Sequence, residues 1–501
     1  MLLTTPSANA FSLLGPYESW MQQTNDFRFP VSYYYSPSYG SFSYPGDIGG
    51  PLSISNGYRW NVPIVTYGFD PSFTNFFGSN GIATVEAAIQ MLNDLPGASS
   101  IVVTNYPDDS VVVNDQAQDQ SLLDLRSVTL SLLVEQLGLA SPYLSIFVLQ
   151  NWLLDGENLT DVTVLNRSFD SITLSPSSEI NGIDYTWDVW SGISNNVNIS
   201  IAVPYPVDEA PYPVPYIPTV ADKLIDTGEI FSGFTFDDAG GLRYLYSSNN
   251  INFETLLPGV TGAGTNSNAW VNGAWRPGVE KVTFVRHPYN SVTGQFIPTN
   301  IQYLDTYLTN GNTAHQQLQR AVSQPDFLFL VGDPAKDYSA VLPYTRTGTS
   351  NWINNASLNG NGFGPGPGVI QPPIQIAFAK LGAVSYLYGT NLLPEYFFGG
   401  SNSWASFDQS TNPPILFPSP QSQSSPFLLR VWYPSRPNTP IPSGKEVELS
   451  FTAQTGKSFV LQTSTNLLQW IPLQTNANNG TLWTVFDVWE STTRFYRIVP
   501  E

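Results

Sequence analysis

The hydrophobic positions change period along this chain. Near the start, Val62-Pro63-Ile64-Val65-Thr66-Tyr67 is a short apolar run with the look of a strand. Between Ile82 and Leu95 the spacing becomes helical: Val85, Ala88, Ile89 and Leu92 recur at i, i+3, i+4 and i+7, and Pro96-Gly97 closes the run. Ser100–Thr104 reads as a second strand. Leu122–Leu139 reads as the strongest helix, with Leu123, Leu130, Val134 and Leu137 on one face and Gly138 and Pro142 as its stop.

Beyond that helix the pattern is β. Val162–Leu165, Ile172–Leu174, Tyr185–Trp190 and Val197–Ile201 are expected strands. Pro204 to Pro218 carries six prolines and is expected to be a stiff extended connection or an edge segment. Lys281–Val285 and Phe327–Val331 are further strands, and Thr313–Val322 suggests a helix. Gly360–Gly368 is a loop by composition; no Lys-Ser/Thr follows it, so it is not a phosphate cradle. The last sixty residues alternate again, with strands expected at Val447–Phe451, Ser458–Gln462, Trp470–Leu473 and Arg494–Val499.

These patterns divide the chain into six stretches. Residues 1–10 end in Ala8-Asn9-Ala10, the small-x-small pattern of a signal-peptidase site, without the charged and long apolar segments that should precede it. They read as the tail of a signal peptide that starts upstream, or as an ordinary frayed terminus. Residues 11–60 are dense in turn formers and aromatics, such as Tyr33-Tyr34-Tyr35, and suit an extended layer. An α+β domain is expected over 61–218, a β-rich domain over 219–388, a Pro/Ser/Asn-rich linker over 389–440 and a β-sandwich over 441–501. The expected class is therefore α+β, predominantly β, and multidomain.

Composition narrows the function. Only 12% of the 501 residues are charged, about half the usual share. The balance is −20, with no cluster of Lys and Arg, which excludes nucleic acid as a partner and disfavours anionic membranes. No apolar run reaches the 18 or so residues of a membrane helix. The absence of cysteine removes disulfides, thiolate metal sites and cysteine nucleophiles. The two histidines, His287 and His315, have no metal-ligand spacing. No cofactor is expected, and calcium is the one ion the acidity leaves open. Acid pairs are the remaining catalytic chemistry: Asp237 with Asp238, Asp184 with Asp188, and Glu254. A glycosidase needs two carboxylates about 5 to 10 Å apart across a sugar. Adjacent acids in loops are more often solvated, so no residue is assigned a catalytic, cofactor or metal role.

Two resemblances bear on this picture. Phe459-Val460-Leu461-Gln462-Thr463-Ser464-Thr465-Asn466-Leu467, then Trp470, then Arg494-Phe495-Tyr496-Arg497 resemble a fibronectin-III-like repeat of large secreted bacterial proteins. The resemblance implies an extracellular spacer, anchor or binding module in which Trp470 and Phe495 are core and Asn466 is a turn. The order of Gly240-Gly241-Leu242-Arg243-Tyr244 and Gly278–Arg286 is also similar to such proteins. Separately, Trp60–Gly138 resembles a matrixin-type metalloprotease domain in its order of strand, helix, strand and helix. Its Gly turn would be Leu137-Gly138-Leu139. The positions of the two zinc-binding histidines hold Ser131 and Glu135, and that of the catalytic glutamate holds Leu132. Such a domain would keep a fold and lose its chemistry.

The expectation is thus a secreted or cell-surface structural or binding protein, with protein, glycan or its own copies as partners. The alternative is a secreted hydrolase, either a divergent metzincin relative or a carboxylate-pair glycosidase.

Overall fold

The computed structural model describes residues 10–15, 53–155, 158–194, 197–207, 217–222, 225–264, 270–290, 293–332, 346–347, 353–354, 368–379, 403–418, 430–432, 445–452, 458–466, 469–477, 482–489 and 495–500. Expectations for Tyr33-Tyr34-Tyr35, for the tip of the proline-rich connection, for 360–367 and for most of 389–440 lie outside these residues. The fold is sheet-rich, and it forms two compact units: Met1–Thr74 with Ser79–Phe417, and Asn75–Gly78 with Pro418–Glu501.

The first unit is organised on a parallel sheet. Thr283–Arg286, Ile64–Phe69, Phe327–Gly332 and Ile374–Ala379 lie side by side and parallel, and Arg346–Thr347 adds an antiparallel edge. A parallel sheet buries both faces, so its strands read as apolar runs. Phe327, Phe329, Ile374, Ile376 and Phe378 are accordingly buried. The core is aromatic: Phe69 stacks on Phe329 at 5.4 Å, and Trp60 and Phe284 lie 5.5 and 5.4 Å from Phe327. Gly68 is required within it, because a Cβ there would stand 2.6 Å from the Phe296 ring. The sheet takes strands from both sides of residue 218.

The helix after the first strand is longer than its periodicity predicts, running Pro71–Asp94. Asp70 caps it through a 2.8 Å bond from the Ser72 amide, and Pro71 takes the first-turn position where its missing N–H costs nothing. Gly78, with φ 64°, interrupts the helix and hides this first turn from a periodicity reading. The second helix is shorter than expected, Leu125–Gln136. Leu122–Asp124 and Leu139–Ala140 are strands instead. Asp124 caps it with bonds from the Ser127 amide and hydroxyl at 2.8 and 2.6 Å. Its polar residues Ser127, Thr129, Ser131 and Gln136 are buried along with its leucines, so it is a core helix without a solvent face.

Three further expectations are corrected. Ser100–Thr104 is not a strand: 3-10 turns cover Ala98–Ser100 and Val103–Asn105, shaped by bonds from Ala98 N and Ser99 N to Glu280. Ile172–Leu174 is a turn. Asp170 accepts from the amides of Ile172 and Thr173, a local bonding pattern that competes with a strand. Thr313–Val322 is not a helix but most of the strand Asn312–Val322, paired along its length with Thr299–Thr309. Asn310-Gly311, with φ 50° and 74°, forms the tight turn that sets this hairpin. Pro204 and Pro206, at the start of the expected stiff connection or edge segment, end the edge strand Val197–Pro206. Part of the expected linker is structured as well: Ser403–Ser406 pairs with Leu122–Asp124 and with Ile415–Phe417, within the first unit. Ala10–Leu13 is a buried strand between Leu139–Ala140 and Ser168–Asp170. Among the described residues, no helix is long and apolar enough to cross a membrane.

The second unit holds two antiparallel three-stranded sheets. One is Arg430–Trp432, Lys445–Thr452 and Leu482–Trp489; the other is Ile471–Ala477, Ser458–Ser464 and Phe495–Pro500. Asn466 does sit in a bend, accepting from the Gln469 amide at 2.9 Å. Trp470 and Phe495 are half-buried rather than core, and the Arg497 guanidinium lies 4.3 Å from the Trp470 ring centre.

Candidate functional site

The acids singled out in the sequence are not brought together. Thr235 caps the helix Phe236–Tyr246, and Asp238 closes a capping box with it. Asp238 also accepts from the amides of Val220 and Ala221 at 2.9 and 3.0 Å. Asp237 instead accepts from the Asn181 amide at 2.8 Å and the Ser171 hydroxyl at 3.4 Å. The neighbours therefore tie down different loops, and both are buried. Burial pushes the Asp237 carboxyl well above its ordinary range, and the charges of Asp238, Asp222 and Asp108 push it further. Asp184 and Asp188 are exposed on one strand. Four residues along a strand separate them by about 13 Å, beyond the reach of a glycosidase pair.

The matrixin-type positions are packed into the core helix. Ser131 donates to the Ser127 carbonyl at 3.1 Å, and Leu132 is 1% exposed. His287 is buried, its ring edge-on to Phe296 at 5.7 Å, and neither ring nitrogen has a hydrogen-bond partner among the described residues. Burial lowers its pKa and favours the neutral ring. His315 is exposed and bonds Thr306 at 3.1 Å. Among the described residues, no group of three or more His, Asp or Glu is placed to hold a metal ion.

Glu254 leads to the best-defined constellation. It lies in a five-stranded antiparallel sheet ordered Asn252–Thr255, Gly273–Arg276, Thr299–Thr309, Asn312–Val322 and Val260–Gly262. Alternation along these strands sends Glu254, Arg276, Tyr303, Asp305, Leu318 and Arg320 to the buried face. There, Arg59 bonds Glu254 at 2.8 Å. Arg276 grips Asp305 with two bonds of 2.9 and 3.1 Å. Its remaining N–H groups go to the carbonyls of Glu254, Asn272 and Val271 at 2.7, 3.0 and 2.9 Å. Arg320 grips Asp326 at 2.6 and 2.7 Å, and Asp326 also receives the Thr66 amide of the central sheet. Burial raises the Glu254 pKa, although Arg59 and Arg276 oppose it.

The opposite face reverses the usual arrangement. Phe253 pairs with Trp275 and Trp275 with Leu308, so these three share the outer face. Trp275 is 48% exposed and meets Phe253 edge-on at 5.8 Å; Leu304 is 53% exposed. Around them stand Gln302, Gln317, Gln319, Thr306 and Asn300, with Asn300 bonded to Gln319 at 3.2 Å. The outer positions of these strands carry no Asp, Glu, Lys or Arg; His315 is their one ionisable group. This sheet buries its charges and displays its aromatics and amides.

No family model, curated protein or solved structure matches the chain.

Sequence reasoning found Glu254 but neither its partners nor this face. Arg59, Glu254, Arg276 and Asp305 are scattered over a long stretch of chain, and no local spacing links them. The Asn310-Gly311 dipeptide between two strands is the signal that could have found the hairpin, but Thr313–Val322 reads as a helix when taken alone.

Proposed function

We propose that the chain is an extracellular binding protein that recognises neutral, hydroxyl-rich polymers, that is, glycans. The outer face of the five-stranded sheet carries this reading. An exposed Trp275 and its neighbour Phe253 offer flat apolar surfaces, and the surrounding Gln, Asn and Thr side chains offer paired donors and acceptors. Sugar rings present the matching combination of apolar faces and equatorial hydroxyls. The neutrality of the face suits a neutral ligand, and the net charge of −20 opposes an acidic one.

The second unit supports the extracellular part of the reading through its resemblance to a secreted fibronectin-III-like repeat. Numbered along the chain, its strands divide as first–second–fifth and fourth–third–sixth, and such a division between two sheets is the connectivity of a sandwich. Its role would be to space or anchor the binding unit. The hydrolase alternative has no observation in its favour among the described residues. Asp237 and Asp238 are engaged by different loops, and the zinc-ligand positions hold Ser131 and Glu135.

The test is affinity electrophoresis in gels containing neutral glucans, mannans or galactans, with alginate as the acidic control. At least one neutral polymer should retard the native protein. Trp275→Ala should weaken that retardation about tenfold or more, as expected for a central aromatic contact worth at least about 1.4 kcal/mol. Retardation by no neutral polymer, or retardation indifferent to Trp275→Ala, refutes the proposal. A concentration-dependent mass in light scattering that Trp275→Ala abolishes would reassign the face to self-association.

A further inference from the structure

Arg243 is a cation without a counter-charge. Acids outnumber bases in this chain by 39 to 19, and Arg59, Arg126, Arg276, Arg286 and Arg320 each pair with a carboxylate. Arg243 pairs with none among the described residues. Its Nη2 donates to the Ser171 carbonyl at 2.8 Å. Its Nε and Nη1 have no partner among the described residues, and neither is closed off from solvent. The residue is half-buried and lines an open pocket of about 370 Å³. Small-molecule sites begin at about 300 Å³.

The fold holds this arginine in place. It lies in the last turn of the helix Phe236–Tyr246, three residues after Gly240. A Cβ on Gly240 would collide with the Ser171 hydroxyl, so the glycine lets the Ser171 turn lie against the helix and present its carbonyl to Arg243. The same turn is tied by bonds from Asp170 N to the Ser175 carbonyl at 2.7 Å and from Leu174 N to the Asp170 carbonyl at 2.9 Å. Leu174 is held at φ 60°, a left-handed conformation that is strained for a residue with a side chain. It is nevertheless 38% exposed and lines the pocket. Its side chain therefore adds little to the core, and strain of this kind concentrates where ligands are held.

The rest of the lining sets the chemistry. Asn249 lines the pocket, exposed, and its side-chain amide has no partner among the described residues. Ser99 and Ser247 also line it, and Ser99 donates to the Glu280 carboxylate at 2.5 Å. With Glu280 behind Ser99 and one guanidinium to offset it, ligands of two or more negative charges are disfavoured. Ser171 occupies one edge of the planar Arg243 fork, and the other edge matches a carboxylate with two parallel bonds. The net charge of −20 repels acidic polymers. A single carboxylate at Arg243 meets the local cation instead, because charges beyond about 10 Å are screened at ordinary ionic strength.

We infer that this pocket binds a singly charged carboxylate with an apolar substituent, the carboxylate on the free edge of Arg243 and the apolar part against Leu174. That chemistry belongs to a free short-chain acid or to a peptide C terminus. None of the lining residues lies in the five-stranded sheet, so the inference goes beyond the glycan reading and stands independently of it.

The experiment is saturation-transfer NMR on the full chain with hexanoate, with N-acetyl-leucine and with N-acetyl-leucinamide as the uncharged control, each up to about 50 mM. At least one acid should receive saturation, with a dissociation constant on the order of millimolar, as suits a ligand of about ten atoms. The amide should receive none. Transfer to hexanoate identifies a free acid as sufficient; transfer to N-acetyl-leucine alone identifies a chain end. Arg243→Gln should weaken binding at least about tenfold, as expected for a charged hydrogen-bonding group. Leu174→Gly should weaken it about threefold while leaving the melting temperature unchanged or higher, since glycine adopts φ 60° freely. The glycine variant and the amide control decide the matter should Arg243→Gln fail to fold. No transfer to either acid, equal transfer to the amide, or binding unchanged in Arg243→Gln or Leu174→Gly overturns the inference. Trp275→Ala should leave acid binding intact; a loss there would move the ligand to the outer face of the sheet and overturn the site as well.

Discussion

Replacing Arg276 with Met tests the buried ionic face most directly. Met fills similar volume and removes every donor. The change strips Asp305 of its two guanidinium bonds and leaves it only the bond from Gln316, 2.7 Å long, although it is 5% exposed. Breaking a buried pair by removing one partner costs about 3–5 kcal/mol. The buried Glu254 carbonyl also loses its 2.7 Å bond, which adds about 1 kcal/mol or more. The carbonyls of Asn272 and Val271 lie on exposed residues and turn to water at little cost. The expected loss is therefore about 5 kcal/mol, a large part of the roughly 5–15 kcal/mol that holds a domain together. Urea unfolding followed by tryptophan fluorescence reads this, provided the transition of the larger unit is resolved from that of the smaller. The double variant Arg276→Met with Asp305→Leu removes both charges and should recover most of the loss, since a buried pair is often no better than a well-packed apolar one. A single-variant loss below about 1.5 kcal/mol, or a double variant worse than the single, would show that the pair is not buried as described.

Two other outcomes follow from the fold. Asp237→Asn should stabilise the protein most at neutral and higher pH. The folded Asp237 pKa is raised, so its ionisation opposes folding, and native stability gains as pH falls toward the ordinary value near 3.9. The advantage of the variant in urea unfolding should shrink as the pH is lowered toward about 3.9 and be lost below it; a difference that does not fall with pH would contradict the burial argument. Gly138→Ala should cost about 3 kcal/mol or more. Its φ is +104°, and the new Cβ would fall 2.0 Å from the Tyr58 carbonyl, so a melting temperature close to wild type would refute the packing at that turn.

What the sequence revealed depended on how local each determinant was. Phe327–Val331 was legible because a strand buried on both faces is a continuous apolar run. The Val85–Leu92 face was legible because helical spacing is local, and its true start at Pro71 was not, because Gly78 breaks the period. Thr313–Val322 misled because Ala, Gln, Leu and Arg favour helices when judged alone, whereas pairing with Thr299–Thr309 decides their state. The shape of Ala98–Ser100 depends on Glu280, far along the chain, and no window around it contains that information. The sheet that carries the candidate site was not legible, because Thr313–Val322 read as a helix, and the inversion of its faces became evident only once Glu254, Arg276 and Asp305 were placed together.

The central sheet also puts a clock on the chain's birth. Ile64–Phe69 emerges early, but its neighbours Thr283–Arg286 and Phe327–Gly332 are more than 200 residues away. At about 5–20 residues per second, this apolar strand waits roughly ten to forty seconds before either partner exists. Throughout that interval both of its edges lack a partner strand, and only the helix Pro71–Asp94 is present to pack on Phe69 and Tyr67. A chain of this design has to be shielded or kept extended while it is made, and its folding rate is governed by the arrival of distant strands rather than by its early helices.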